Sequence, residues 1–278
     1  RASVKVERMP IVFLGSPEER KRIQLEIAKT GKPLIIYQVT EDGVEKKLSL
    51  SPSSVFGLLT AFDMDVLTVI HHKLFEARKT IGSCPETMRL WISEFPKIMR
   101  LSSCGDLYDR IQDSIKRISE TDIYHENFVK VKEGPGKPLN IYHEASLKIL
   151  LYMGTNKEMI ETSAGIRMRK IYIDIAIPEW HRNNINNGYT TEFDPGIYFS
   201  LSNDRARRLY RVLEIIRYEP VVLLPYSKLN SELSLQVLEN NQRNRALKRS
   251  LDPLVQIGYL TGYKLLDNQV SVSFSQIK

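Results

Sequence analysis

NQRNRALKRSLDPLVQIGY, Asn241 to Tyr259, is the stretch from which the rest of the chain takes its meaning. On a helical wheel Leu247, Leu251, Leu254 and Val255 share one side, at the i, i+4, i+7, i+8 spacing of a buried stripe. Asn241, Gln242, Arg245 and Arg249 share the other, with Lys248 at its edge; Arg243 lies nearer the stripe and is a phosphate contact only if the helix begins after it. Guanidinium and amide groups are those that pair bidentately with guanine and adenine edges in a major groove. A merely solvated amphipathic helix carries the same pattern, so the wheel alone leaves both readings open. Pro253 lies inside the stretch and predicts a kink or a restart there, with Asp252 as the new cap. Gly258 marks the expected end.

The balance of the whole chain suits a polyanionic partner. Its 278 residues carry a net charge of +7, enough length for one large domain or two smaller ones. RNA, an anionic membrane or simple solubility would also use that charge. No apolar run is long enough to cross a bilayer, and no signal peptide is visible. The chain opens on Arg1 rather than Met, as a fragment or trimmed chain would. Cys84 and Cys104, with no CxxC pair and no clustered histidines, predict neither disulfide nor zinc site and suit a reducing cytoplasm.

Taken in order, Ser16-Pro17-Glu18-Glu19 predicts a capped helix running to Gly31. A hairpin follows, Pro33–Thr40 and Val44–Leu50, turning at Asp42-Gly43. From Gly57 to Lys79, Phe62, Val66, Val69, Ile70 and Leu74 form a core-facing stripe. His71 and His72 are adjacent, not at ligand spacing, and read as surface residues. A strand at Arg89–Glu94, a brief helix at Phe95–Leu101 and a longer one at Asp106–Ser119 give a helix-turn-helix. The longer helix offers Arg110, Lys116 and Arg117 as DNA contacts, diluted by Asp106, Asp109 and Asp113. Asp122–Lys132 and Leu139–Tyr152 are the expected first wing, bringing Lys130, Lys132 and Lys137 beside a backbone. Ile166–Ile177 alternates as a strand, and Pro178–Asn187 reads as a short helix.

The polar run Asn183–Thr191 is the expected linker, dividing the chain into 1–188 and 189–278. Beyond it the order repeats: a strand at Ile197–Leu201, then a helix from a Ser202 cap to about Tyr218. A strand at Val221–Leu224, a short helix at Tyr226–Leu233 and the long helix follow, then strands Tyr259–Leu265 and Gln269–Phe274. Lys264 and Asn268 in that second wing are further backbone contacts. Arg205, Arg207, Arg208 and Arg211 admit two readings equally: contact with DNA, or a structural role in which they pack over the inter-domain surface or pair with acids. From Ile197 onward twelve Lys/Arg stand against seven Asp/Glu, so the second half is expected to hold DNA harder. The fold class expected is α+β, with two tandem winged-helix domains, each a helix-turn-helix plus a β-wing. The first carries an extra N-terminal helix and hairpin.

Catalysis finds little support. There is no GxxxxGK[ST] for phosphates. His71, His72, His125, His143 and His181 never flank a single apolar residue, as a rolling-circle nuclease's metal site requires. The chain is therefore read as a binding protein without cofactor. GLLTAFDMDVL (Gly57–Leu67), YFSLSNDRARRLYRVLE (Tyr198–Glu214) and LKRSLDPLVQIGYL (Leu247–Leu260), in that order, resemble the replication initiator protein A family of plasmid initiators. Leu59 stands where that family usually has proline, and Glu133–Arg169 matches poorly. The resemblance implies binding to repeated double-stranded sites in a replication origin, help in opening the duplex, and recruitment of host initiator and helicase. It also implies a homodimer through the N-terminal domain. The competing reading is a winged-helix repressor acting on its own or a nearby promoter.

Overall fold

The sequence builds two similar runs of elements, the first enlarged by a four-stranded sheet, with two short two-stranded pairings besides among the described residues. The computed structural model describes residues 2–3, 14, 17–41, 44–127, 130–132, 139–141, 144–161, 167–188, 190–191, 193–235 and 239–276. Strand β1 (Ala2–Ser3) and helix α1 (Pro17–Thr30) lead to strands β2 (Leu34–Glu41) and β3 (Val44–Ser51). Glu41 pairs with Val44, in keeping with the expected hairpin, while Ser16 and Asp42-Gly43 lie outside the described residues. Helix α2 (Ala61–Ile81) begins four residues later than Gly57 suggested. Gly57 itself is left-handed at φ +78°, and Thr60 and Asp63 form a reciprocal capping box. Val66, Val69, Ile70 and Leu74 face the core as the periodicity requires.

Strand β4 (Thr87–Trp91), helix α3 (Glu94–Met99) and helix α4 (Gly105–Glu120) follow. Leu107, Ile111, Ile115 and Ile118 of α4 are buried against α2. Next come β5 (Asp122–Glu126), β6 (Lys130–Lys132), β7 (Leu139–Ile141), β8 (Glu144–Leu147), β9 (Leu151–Glu161) and β10 (Arg167–Ala176). The strands expected at Asp122–Lys132 and Leu139–Tyr152 do pair with each other, β5 with β8 and β6 with β7, but their place as a wing is corrected. Strands β5 and β8 complete a four-stranded sheet in the order β2-β3-β5-β8. The long hairpin lying beside β4 is instead β9–β10, in the order β4-β10-β9.

Helix α5 (Glu179–Asn186), β11 (Thr190–Thr191) and helix α6 (Pro195–Ser200) enter the second half. The strand expected at Ile197–Leu201 is thus a helix. An Asp-Pro-Gly start explains it: the Asp194 carboxylate accepts from Gly196 N at 2.7 Å and Pro195 occupies the first turn. Then come α7 (Asp204–Ile216), β12 (Val221–Pro225), α8 (Tyr226–Leu233), α9 (Asn240–Gln256), β13 (Leu260–Leu265) and β14 (Gln269–Phe274). Asn203, not Ser202, caps α7, accepting from the amides of Arg205 and Ala206.

Both halves therefore run helix, strand, short helix, longer helix, hairpin. Both sheets place the last strand between the other two, β4-β10-β9 and β12-β14-β13. One continuous set of buried side chains serves them, reaching from Leu48 to Phe274. His71, expected at the surface, belongs to this interior at 2% exposure, its ring edge-on to that of buried His181 with centroids 5.2 Å apart.

Candidate nucleic-acid interface

Helix α9 divides as its wheel requires. Leu247, Leu251 and Leu254 are buried beneath it, each burial stabilising by about 2 kcal/mol. On the opposite side Asn241, Gln242, Arg245, Lys248 and Arg249 are exposed. Arg245, Lys248 and Arg249 have no ion pair within the chain among the described residues. Arg243 is half-buried with its guanidinium 4.4 Å from the centroid of the Tyr226 ring, so it fastens α9 to α8.

The expected break at Pro253 is corrected: α9 runs unbroken from Asn240 to Gln256. Proline at 253 removes the amide that would bond the Arg249 carbonyl. Asn203 supplies a substitute, its Nδ2 donating to Arg249 O at 3.3 Å. Three residues after Arg249, the Asp252 carboxylate accepts from Tyr263 Oη of β13 at 2.6 Å, tying the helix to the second hairpin instead of capping it. The helix closes on Gly258 at φ +72°, with Tyr259 N bonded to Leu254 O and Gly258 N to Val255 O. Beside it, Lys264 and Asn268 are exposed on the β13–β14 hairpin, and the Asn268 carbonyl holds Tyr226 N at 3.0 Å. Lys228, exposed in the first turn of α8, is a further cation that sequence reasoning passed over.

The corresponding helix of the first half is different. Arg110 is exposed but lies over the Phe62 ring at 4.3 Å. Lys116 is half-buried, 5.9 and 5.8 Å from the ring centroids of Phe56 and Tyr152. Arg117 is committed inward: Nη1 meets Asp63 Oδ1 at 2.6 Å and Nε donates to Phe56 O. What α4 leaves in solvent beside Arg110 is acidic, namely Asp106, Asp109, Asp113 and Glu120. Lys130 and Lys132 lie on strand β6, whose side chains, like the whole of Lys137, fall outside the described residues.

The arginines of α7 are taken up within the protein. Arg207 Nη1 meets Asp65 Oδ2 of α2 at 2.5 Å, and Arg211 Nη1 donates to Thr68 Oγ1 at 3.1 Å. Arg208 pairs with Glu232 of α8, and Arg205 Nε donates to Leu233 O. Tyr198 Oη completes the joint by donating to Asp65 Oδ1 at 2.8 Å. Burial drives the Asp65 carboxyl up to about 6, against the opposing pull of Arg207 and the Tyr198 hydroxyl. Among the described residues no group of three or more His, Cys, Asp or Glu could hold a metal ion, and no helix is long and apolar enough to cross a membrane.

Among solved structures, two crystal structures of domains 2 and 3 of RctB are similar, one of them of selenomethionine derivatives. Their TM-scores are 0.58 and 0.53, each at 18% identity over 86% of this chain and 90% of the other. At that identity the likeness is one of fold. No curated protein matches in sequence. The family described as "RPA: Replication initiator protein A" matches residues 23–220, a span that ends before α8 and so includes two of the three segments that suggested the resemblance. That span is well over half of the chain, which belongs to the replication initiator protein A family.

Proposed function

We propose that this protein starts plasmid replication by binding repeated duplex sites in an origin, through two winged-helix units spanning 1–188 and 189–278. The single observation that supports the reading most is the division of α9, with leucines sealed in the core and Arg245, Lys248 and Arg249 open to solvent. A helix carrying guanidiniums and amides fits a major groove, where each bidentate base contact contributes about 1–3 kcal/mol of discrimination. The β13–β14 hairpin lies alongside and would bring Lys264 and Asn268 to a neighbouring phosphate. Shared sheet order in the two halves supports a repeated unit. On this reading the protein acts in the cytoplasm by binding rather than catalysis. It helps to open the duplex and brings in the host initiator and helicase. The less basic first half serves a homodimer.

Footprinting on DNA beside the protein's own reading frame tests the proposal. Several evenly spaced direct repeats are expected, whereas a lone palindrome would replace it with the repressor reading. Arg249→Ala should weaken specific binding by about tenfold or more with the melting temperature unchanged. Unaltered binding would remove α9 from the interface.

A further inference from the structure

We infer that Asn203 is a positioning residue for the DNA-facing helix, acting through the carbonyl of Arg249; this rests on the proposed role of α9. Three observations meet at this one side chain. Its Oδ1 accepts from the amides of Arg205 and Ala206, at 2.8 and 3.3 Å, and so caps α7. Its Nδ2 donates to Arg249 O at 3.3 Å. That carbonyl has lost its own helical donor, because position 253, four residues on, is Pro253.

The consequence is mechanical. A proline ring inside a helix crowds the carbonyl four residues back and opens the local turn. Here that turn begins at Arg249, with Lys248 just before it, two of the exposed cations of the interface. Without an external donor the carbonyl would turn to water, and the helix would be free to bend where its side chains must meet the duplex. Asn203 supplies the donor from a helix that is itself anchored, since Arg207, four residues along, is joined to buried Asp65. The amide thus fixes the direction of α9 without touching DNA. Asn203 and Pro253 form a matched pair, each making the other matter.

The pairing gives a test with an internal rescue. Asn203→Ser keeps an uncharged capping oxygen and removes the amide donor. Pro253→Ala restores an N–H at the position from which α9 can bond Arg249 O itself. Affinity would be measured by fluorescence anisotropy, on a duplex selected by the wild-type protein from a randomised pool and on a scrambled duplex of the same composition. Asn203→Ser is expected to lower affinity for the selected duplex about fivefold while leaving the scrambled duplex within twofold, so that specificity rather than charge attraction is lost. Asn203→Ser/Pro253→Ala should return to within twofold of Pro253→Ala alone. An Asn203→Ser protein that binds the selected duplex like wild type, or a loss that Pro253→Ala does not repair, overturns the inference. Arg249→Ala is run in parallel: if it retains full specific binding, or if no duplex is enriched at all, the DNA role of α9 falls first and this inference with it.

Discussion

Gly258 ends α9 in the left-handed region at φ +72°, and a Cβ added there would meet no atom within 4 Å. Alanine would therefore cost only the backbone strain, about 1–2 kcal/mol. Gly258→Ala should lower the unfolding free energy by that much, read as a lower urea midpoint with the slope of the transition unchanged. At the same scale, the side chains read most accurately from sequence were those whose surroundings lie within one helix turn. Leu247, Leu251 and Leu254 needed only their spacing. Arg207 and Arg211 could not be read in this way, because their partners Asp65 and Thr68 lie 142 and 143 residues away. Nothing local separates an arginine reaching for a phosphate from one reaching across a joint. Asn203 was half legible: a cap was expected at this point, on Ser202, but its second bond depends on a proline in another helix.

Helices α4 and α9 hold equivalent places in the two halves and present opposite surfaces. Lys248 stands in solvent among arginines and amides, whereas Arg110 stands among three aspartates and leans on Phe62. Each phosphate contact changes the salt dependence of binding by about one unit of slope. Lys248→Ala should flatten a plot of log affinity against log salt by about that amount, and Arg110→Ala should leave the slope unchanged. Element type was legible wherever a stripe ran for several turns, as in α2, α4 and α9. It failed at α6, where Ile-Tyr-Phe is too short to show either period and the Asp-Pro-Gly start outweighed its strand-like composition. The first hairpin was placed on the right strands, 122–132 against 139–147, and what was missed for a related reason is β9, which pairs with β10. Strand β9 contains Gly154 and meets a register shift at Asp174/Ile175, so its alternation is weak.

For the molecule as a whole, the paired rings of buried His71 and His181 weigh on the response to acid. Burial lowers His181 from 6.5 to about 4 and moves His71 in the same direction. Between those values the unfolded chain binds protons that the folded one refuses, so this stability is complete above 6.5 and is lost as pH falls towards 4. Asp65 runs the other way: raised from 3.8 to about 6, it keeps its proton longer when folded, and its contribution declines as pH rises through that window. His72 is lowered by burial as well, so three imidazoles oppose one carboxyl and the unfolding free energy in urea should drop between pH 7 and pH 5. His181→Asn should make the drop shallower, and an unchanged curve would exclude the pair as its origin. The inserted sheet has a consequence at the ribosome. Strand β3 finds its second neighbour only in β5, as Leu50 meets Ile123, and α2, β4, α3 and α4 must all be synthesised in between. During translation the β2–β3 hairpin therefore waits with one open row of amides and carbonyls, a template to which a neighbouring nascent chain could add a strand. Slow elongation before residue 122 should promote co-aggregation, and chaperone demand should peak there and fall once β5 has emerged.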